Sequence, residues 1–72
     1  MNEKEERFIK IAENRTNKAI HMIRLLGNCA NKNNYQYTNV QVEKIFKAIE
    51  KELDIAKKKY TINNTNGKFS LR

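Results

Sequence analysis

The sequence predicts an all-α protein: a two-helix antiparallel hairpin that assembles into an oligomeric bundle and ends in a short tail or small hairpin. Three observations lead there. Two long stretches carry apolar residues at steps of three and four, the period of one helical face. A helix-start signature, Thr38 three residues before Gln41, separates them. The 72 residues contain no proline and only two glycines, so little interrupts either stretch. Residues 1–60 are read as the hairpin domain and 61–72 as the tail.

The first helix is expected from about Glu3 to Leu26. Phe8, Ala12, Ala19, Met22 and Leu26 define its apolar face; Ile9, Ile20 and Ile23 widen it on one side, Ile11 and Leu25 on the other. Glu3, Glu5 and Glu6 occupy the first turn, where carboxylates oppose the positive end of the helix dipole. Arg15 interrupts the apolar stripe, seven residues after Phe8 and four before Ala19. Such an arginine either carries its head to the edge of the stripe or pairs, buried, across a subunit contact. Gly27 suits a helix C-terminus in the left-handed region.

The connection, residues 27 to 37, is longer than the usual 2–8 residues between packed helices, and long ordered loops tend to be functional. Its asparagines can bond their own backbone and brace it. The second helix then runs from Thr38 to about Tyr60. Tyr37, just before the cap, is placed to pack on Val42. The seam Val42, Ile45, Phe46, Ile49, Leu53, Ala56 and Tyr60 follows, about three heptads long, with Glu43 and Lys47 as a favourable pair at i,i+4. Lys57, Lys58 and Lys59 are expected in the last turn, as a solvated helix end favoured by the dipole. In the tail, Asn66-Gly67 is a strong hairpin-turn signal, with Tyr60-Thr61-Ile62 and Lys68 to Leu71 as its arms. An isolated hairpin is marginal in water, so an extended or disordered arm is the equal alternative.

Size decides how such helices are stabilised. A chain this short buries only about 60% of its unfolded surface, and small domains need a further device. Cys29 is the single cysteine, which rules out an internal disulfide, and with one histidine it cannot complete a four-ligand structural zinc site. Self-association remains, with Val42, Phe46, Ile49 and Leu53 as the expected oligomer interface. The lone thiol and a polar N-terminus without a secretory pattern point to a reducing cytoplasm, that of a bacterial host cell. No apolar run approaches the roughly 20 residues that span a bilayer, and no membrane partner is expected.

Charge localises the function. The net charge is +7 with a pI near 9.8, a balance that favours nucleotides, nucleic acids or acidic surfaces as partners. From Asn14 to Val42 there is no Asp or Glu; all eight acids lie at 3, 5, 6, 13, 43, 50, 52 and 54. Inside that zone Asn14, Asn17, Lys18, His21, Arg24 and Asn28 recur at three- and four-residue steps on one face. An ordinary solvated face would look similar. The acid-free loop that begins where this face ends singles it out. The expected ligand residues are Arg24, Asn28, Asn31, Lys32, Tyr35 and Tyr37, with Lys18 and His21 beside them. Arg24 can grip a phosphate with two prongs, Lys32 adds a point charge, Asn28 and Asn31 can read a base or sugar edge, and the tyrosines offer stacking faces or pack beneath the loop.

Enzyme chemistry is not expected. His21 has no carboxylate in its zone to orient it, Cys29 has no base nearby in the sequence, and no phosphate loop, dinucleotide fingerprint or zinc-hydrolase motif occurs. No cofactor and no metal are expected.

Leu26-Gly27-Asn28, Tyr35-X-Tyr37-Thr38 and Lys44-Ile45-Phe46, within residues 8 to 60, resemble a small helical family of phages and mobile elements in low-GC Gram-positive bacteria. The resemblance implies a phage or plasmid accessory role and assigns no catalytic or binding residue. Together these readings give a homo-oligomeric, non-enzymatic binder of a phosphate-bearing anion, most concretely a phage-type protein that sequesters an immune signalling nucleotide in anti-defence. The alternatives are a DNA- or RNA-binding accessory protein and an adaptor or inhibitor that docks on a host factor, through Phe69-Ser70-Leu71 for example.

Overall fold

The first helix, α1 (Glu3–Asn28), begins on Asn2, whose extended backbone turns the chain into the helix. The Glu5 backbone N–H donates to Asn2 Oδ1 at 2.8 Å, and the Asn2 N–H donates back to Glu5 Oε1 at 3.4 Å. This reciprocal pair satisfies two of the donors a helix start leaves open. Glu3, Glu5 and Glu6 do fall in the first turn. The cap itself is written in the sequence as Asn three residues before Glu, a signal the apolar spacing does not carry.

The computed structural model describes residues 2–65. Among the described residues there are two helices, α1 and α2 (Asn39–Thr65), and no strand. The chain divides into two compact units, Met1–Gln36 and Tyr37–Arg72, one around each helix.

The end of α1 corrects the expected role of Gly27. The helix runs two residues past Leu26, and Gly27 lies within it rather than in a left-handed cap. The reason is visible in the next three amides. Cys29, Ala30 and Asn31 donate to the carbonyls of Leu26, Gly27 and Asn28 at 3.0, 3.1 and 3.3 Å. These i→i−3 bonds tighten the last turn and occupy carbonyls that the helix end would otherwise leave open.

The second helix starts as the sequence indicates. Thr38 N–H donates to Gln41 Oε1 at 2.8 Å, Gln41 N–H donates to Thr38 Oγ1 at 3.1 Å, and Val42 N–H closes the first turn onto Thr38 O at 3.1 Å. Its end lies further on than expected. Residues 61 to 65 continue the helix, so Lys57, Lys58 and Lys59 lie inside α2 and not in its last turn. The first arm of the expected tail hairpin is therefore helical. Thr61 Oγ1 bonds back to Lys57 O at 3.3 Å, as a mid-helix threonine does. Asn66-Gly67 and the second arm lie outside the described residues. An i,i+4 ion pair on α2 forms at Asp54–Lys58, 3.1 Å, and not at Glu43–Lys47. Both its side chains are well exposed, so its contribution is at most a few tenths of a kcal/mol.

Among the described residues none is buried. Ala12 and Leu26 in the α1 stripe, and Val42 and Ile49 in the α2 seam, are half-buried, as is Tyr37. The larger members stay open: Phe8 is 55% exposed, Met22 61%, Leu53 57% and Tyr60 58%. Arg15 is exposed in the single chain. Local bonds fix where each helix starts and where α1 stops; what covers the apolar faces is not among them.

Two outcomes follow for single substitutions. A Cβ on Gly27 would meet no atom within 4 Å, and its backbone is helical. Gly27→Ala is therefore expected to raise stability by about 0.5–1 kcal/mol, the ordinary helix-interior difference. Thermal melting followed by circular dichroism checks this; destabilisation would place Gly27 in a left-handed cap after all. Thr38→Ala is expected to cost about 1 kcal/mol and to fray the first turn of α2, seen as faster amide exchange at Gln41 and Val42.

Candidate functional site

The expected ligand residues divide between the two units. In the first, α1 presents Lys18, His21, Arg24 and Asn28 at steps of three, three and four, all exposed. At 1.5 Å rise per residue, Lys18 to Asn28 covers about 15 Å of one helix face. Asn28 is the last residue of α1, so the face ends where the loop begins.

Asn31 builds that loop. Its Oδ1 accepts from Asn33 N–H at 2.9 Å, an Asx turn, and its backbone carbonyl accepts from Asn34 N–H at 3.1 Å and Tyr35 N–H at 3.0 Å. Asn28 O, at the helix end, accepts from Asn31 N–H in turn. A chain of backbone bonds therefore ties Lys32 and Tyr35 to the end of α1 that bears Arg24. Asn31 itself, expected to read a ligand edge, already has its side-chain carbonyl committed to the turn. Tyr35 is 52% exposed and offers its ring to solvent. Lys32 is exposed at the turn.

Tyr37 belongs to the second unit, where it immediately precedes the Thr38 cap and is half-buried. The first turn of α2 contains no acidic residue, in contrast to that of α1. The expected interface residues Val42, Phe46, Ile49 and Leu53 follow one another at steps of four, three and four on α2. They share one face, with Phe46 and Leu53 exposed.

Cys29 is exposed, and its Sγ lies 3.8 Å from Leu25 O, a weak contact of the kind a hydroxyl also makes. Along α1, Glu13 is the nearest preceding acid to His21, eight residues or about 12 Å of helix rise away.

Sequence reasoning centred on the acid-free zone stopped the cationic face too early. Arg7 and Lys10 precede Asn14 by seven and four residues, so on the continuous helix they extend the same face toward the N-terminus. The helical spacing alone could have found them. Glu13 borders this extended face, and Glu3 and Glu6 lie beyond its N-terminal end. A second feature also went unread: a shallow open depression beside it, lined by Phe8, Ile9, Ala12, Glu13, Thr16 and Asn17. No described helix is long and apolar enough to cross a membrane.

Compared with protein-family models, with curated proteins and with solved structures, the chain matches none.

Because Cys29 has only that weak contact, Cys29→Ser is expected to change stability by less than about 1 kcal/mol. Asn31→Ala removes the Asx turn and is expected to raise amide exchange from Asn33 to Tyr35 while leaving α1 intact. Exchange measured by NMR on both variants checks the two statements. A collapse of either fold on Cys29→Ser would contradict the first.

Proposed function

We propose that the protein is a non-enzymatic binder of a phosphate-bearing anion. A nucleotide is the smallest ligand that engages the whole set of residues. The single observation that carries the reading is the run of 29 residues from Asn14 to Val42 without a carboxylate, whose exposed cations and amides share one face of α1 and continue into the braced loop. Arg24 supplies the fork for two phosphate oxygens, Lys32 a second positive charge, Asn28 an amide and Tyr35 a stacking face. Lys18 and His21 carry the face further along the helix.

The C-terminal end of a helix opposes an anion, by roughly 0.3–1 kcal/mol. Here the carbonyls of Leu26, Gly27 and Asn28 are occupied by the following amides, which weakens that opposition. A charge-assisted bond from Arg24, worth about 1.5–3 kcal/mol, exceeds it.

In the same proposal the helices pair antiparallel and copies of the chain bury Val42, Phe46, Ile49 and Leu53 against one another in a bundle. The support is the row of exposed apolar side chains on both helices, which a solitary chain leaves in water. A phage-encoded protein that sequesters a signalling nucleotide in the bacterial cytoplasm is the concrete form of this activity.

Calorimetry with mono-, di- and cyclic nucleotides tests the binding. Arg24→Lys is expected to weaken it nearly as much as Arg24→Ala, because an ammonium cannot hold two oxygens in a plane. Tyr35→Phe is expected to be milder than Tyr35→Ala, and Lys57→Ala to do little. Equal losses for the Lys57 and Arg24 variants would replace the site with diffuse surface attraction. For the assembly, Leu53→Asp is expected to dissociate and unfold the protein together, since an unpaired charge in a buried seam costs several kcal/mol. A stable folded monomer of the natural chain in light scattering would end that part of the proposal.

A further inference from the structure

The polar face of α1 is longer than a nucleotide needs. From Arg7 through Lys10, Asn14, Asn17, Lys18, His21 and Arg24 to Asn28 it runs without a break in the helix, over about 31 Å. Cations stand toward both ends, Arg7 and Lys10 at one and Arg24 at the other, with Asn14, Asn17, Lys18 and His21 between them. The opposite face holds Phe8, Ala12, Ala19, Ile23 and Leu26. Resting on the phosphate-binding reading above, we infer that this face of α1 lies in the major groove of duplex DNA.

Three features select that ligand. Arginine and lysine at the two ends meet phosphates on the groove walls, and asparagines between them carry the amide that pairs with the exposed edge of adenine. A single strand would be held by several rings interleaved with cations, but α1 contributes to this face only the imidazole of His21; its single phenylalanine, Phe8, belongs to the opposite one. Double-stranded RNA has a major groove too deep and narrow for a helix face to read. A helix with one polar side and one apolar side also fits a dimer that presents two such helices to successive grooves. Glu13, bordering the face, and Glu3 and Glu6, four residues before Arg7 and Lys10 on the same side of the helix, work against the contact and moderate its strength.

The test is fluorescence anisotropy of the full chain with a labelled DNA duplex, the same strand unpaired, and a labelled mononucleotide, across a range of salt. If Arg7, Lys10, Lys18 and Arg24 each neutralise a phosphate, log affinity for the duplex falls with log salt at a slope of about −3.6, at roughly −0.9 per contact. The double variant Arg7→Gln, Lys10→Gln is expected to reduce that slope by about 2. The triple variant Lys44→Gln, Lys47→Gln, Lys51→Gln, on the other helix, is expected to leave it unchanged. Circular dichroism confirms that each variant keeps its helices.

Three results overturn the inference. One is a mononucleotide bound through Arg24 while the duplex is bound no tighter, which leaves the phosphate site standing. The second is an unpaired strand bound as tightly as the duplex. The third is duplex binding that survives the α1 variant and is lost in the α2 variant. Loss of neither ligand on Arg24→Ala would instead refute the underlying phosphate site.

Discussion

The positions of both helices depend on one kind of interaction, a polar side chain exchanging hydrogen bonds with backbone amides three residues away. Asn2 with Glu5 and Thr38 with Gln41 each close such a reciprocal pair. A helix has a costly first turn and a cheaper continuation, so a cap that fixes the first turn decides where the whole helix lies. Asn31 does the equivalent for the connection, holding three amides with one side chain and one carbonyl. Local bonding of this kind sets where both helices begin and how the connection between them is braced. It does nothing for the apolar stripes, whose members remain exposed or half-buried.

That division explains what the sequence could and could not reveal. The start of α2 was legible because Thr38 and Gln41 are a complete local code. The self-bracing of the loop was legible because asparagine is the residue that does it. Gly27 misled because a glycine near the end of an apolar stripe usually marks a left-handed cap, whereas here the helix runs on through Gly27 to Asn28 and i→i−3 bonds from the next three residues close it. The far end of α2 was missed for a related reason. Asn66-Gly67 read as a hairpin turn with Tyr60-Thr61-Ile62 as one arm, yet without Pro or Gly between Tyr60 and position 67 nothing obliged the helix to stop, and Thr61 could bond back into it. For the site, the absence of acids located the loop end of α1, but counting acids could not show that Arg7 and Lys10 share its face. Only helical continuity does that.

The arrangement of charge then carries the functional argument. Carboxylates are concentrated near the start of α1 and along α2, and the intervening segment has cations and amides but no carboxylate. Glu3, Glu5 and Glu6 are explained by the helix dipole, and Asp54 by its pairing with Lys58. No such local partner accounts for Lys18 and Arg24, and a ligand with phosphate oxygens would complete them. Net charge alone would draw anions to the whole surface; a stretch without carboxylates makes one region of it distinct.

Backbone amide shifts in the NMR spectrum of the isotopically labelled protein, titrated with inorganic pyrophosphate, test that distinction most directly. The account predicts that the shifts concentrate between residues 14 and 36 and include Arg24, Asn28 and Lys32. Shifts spread evenly, or gathered along Lys44, Lys47, Lys51 and Lys58 of α2, would contradict it.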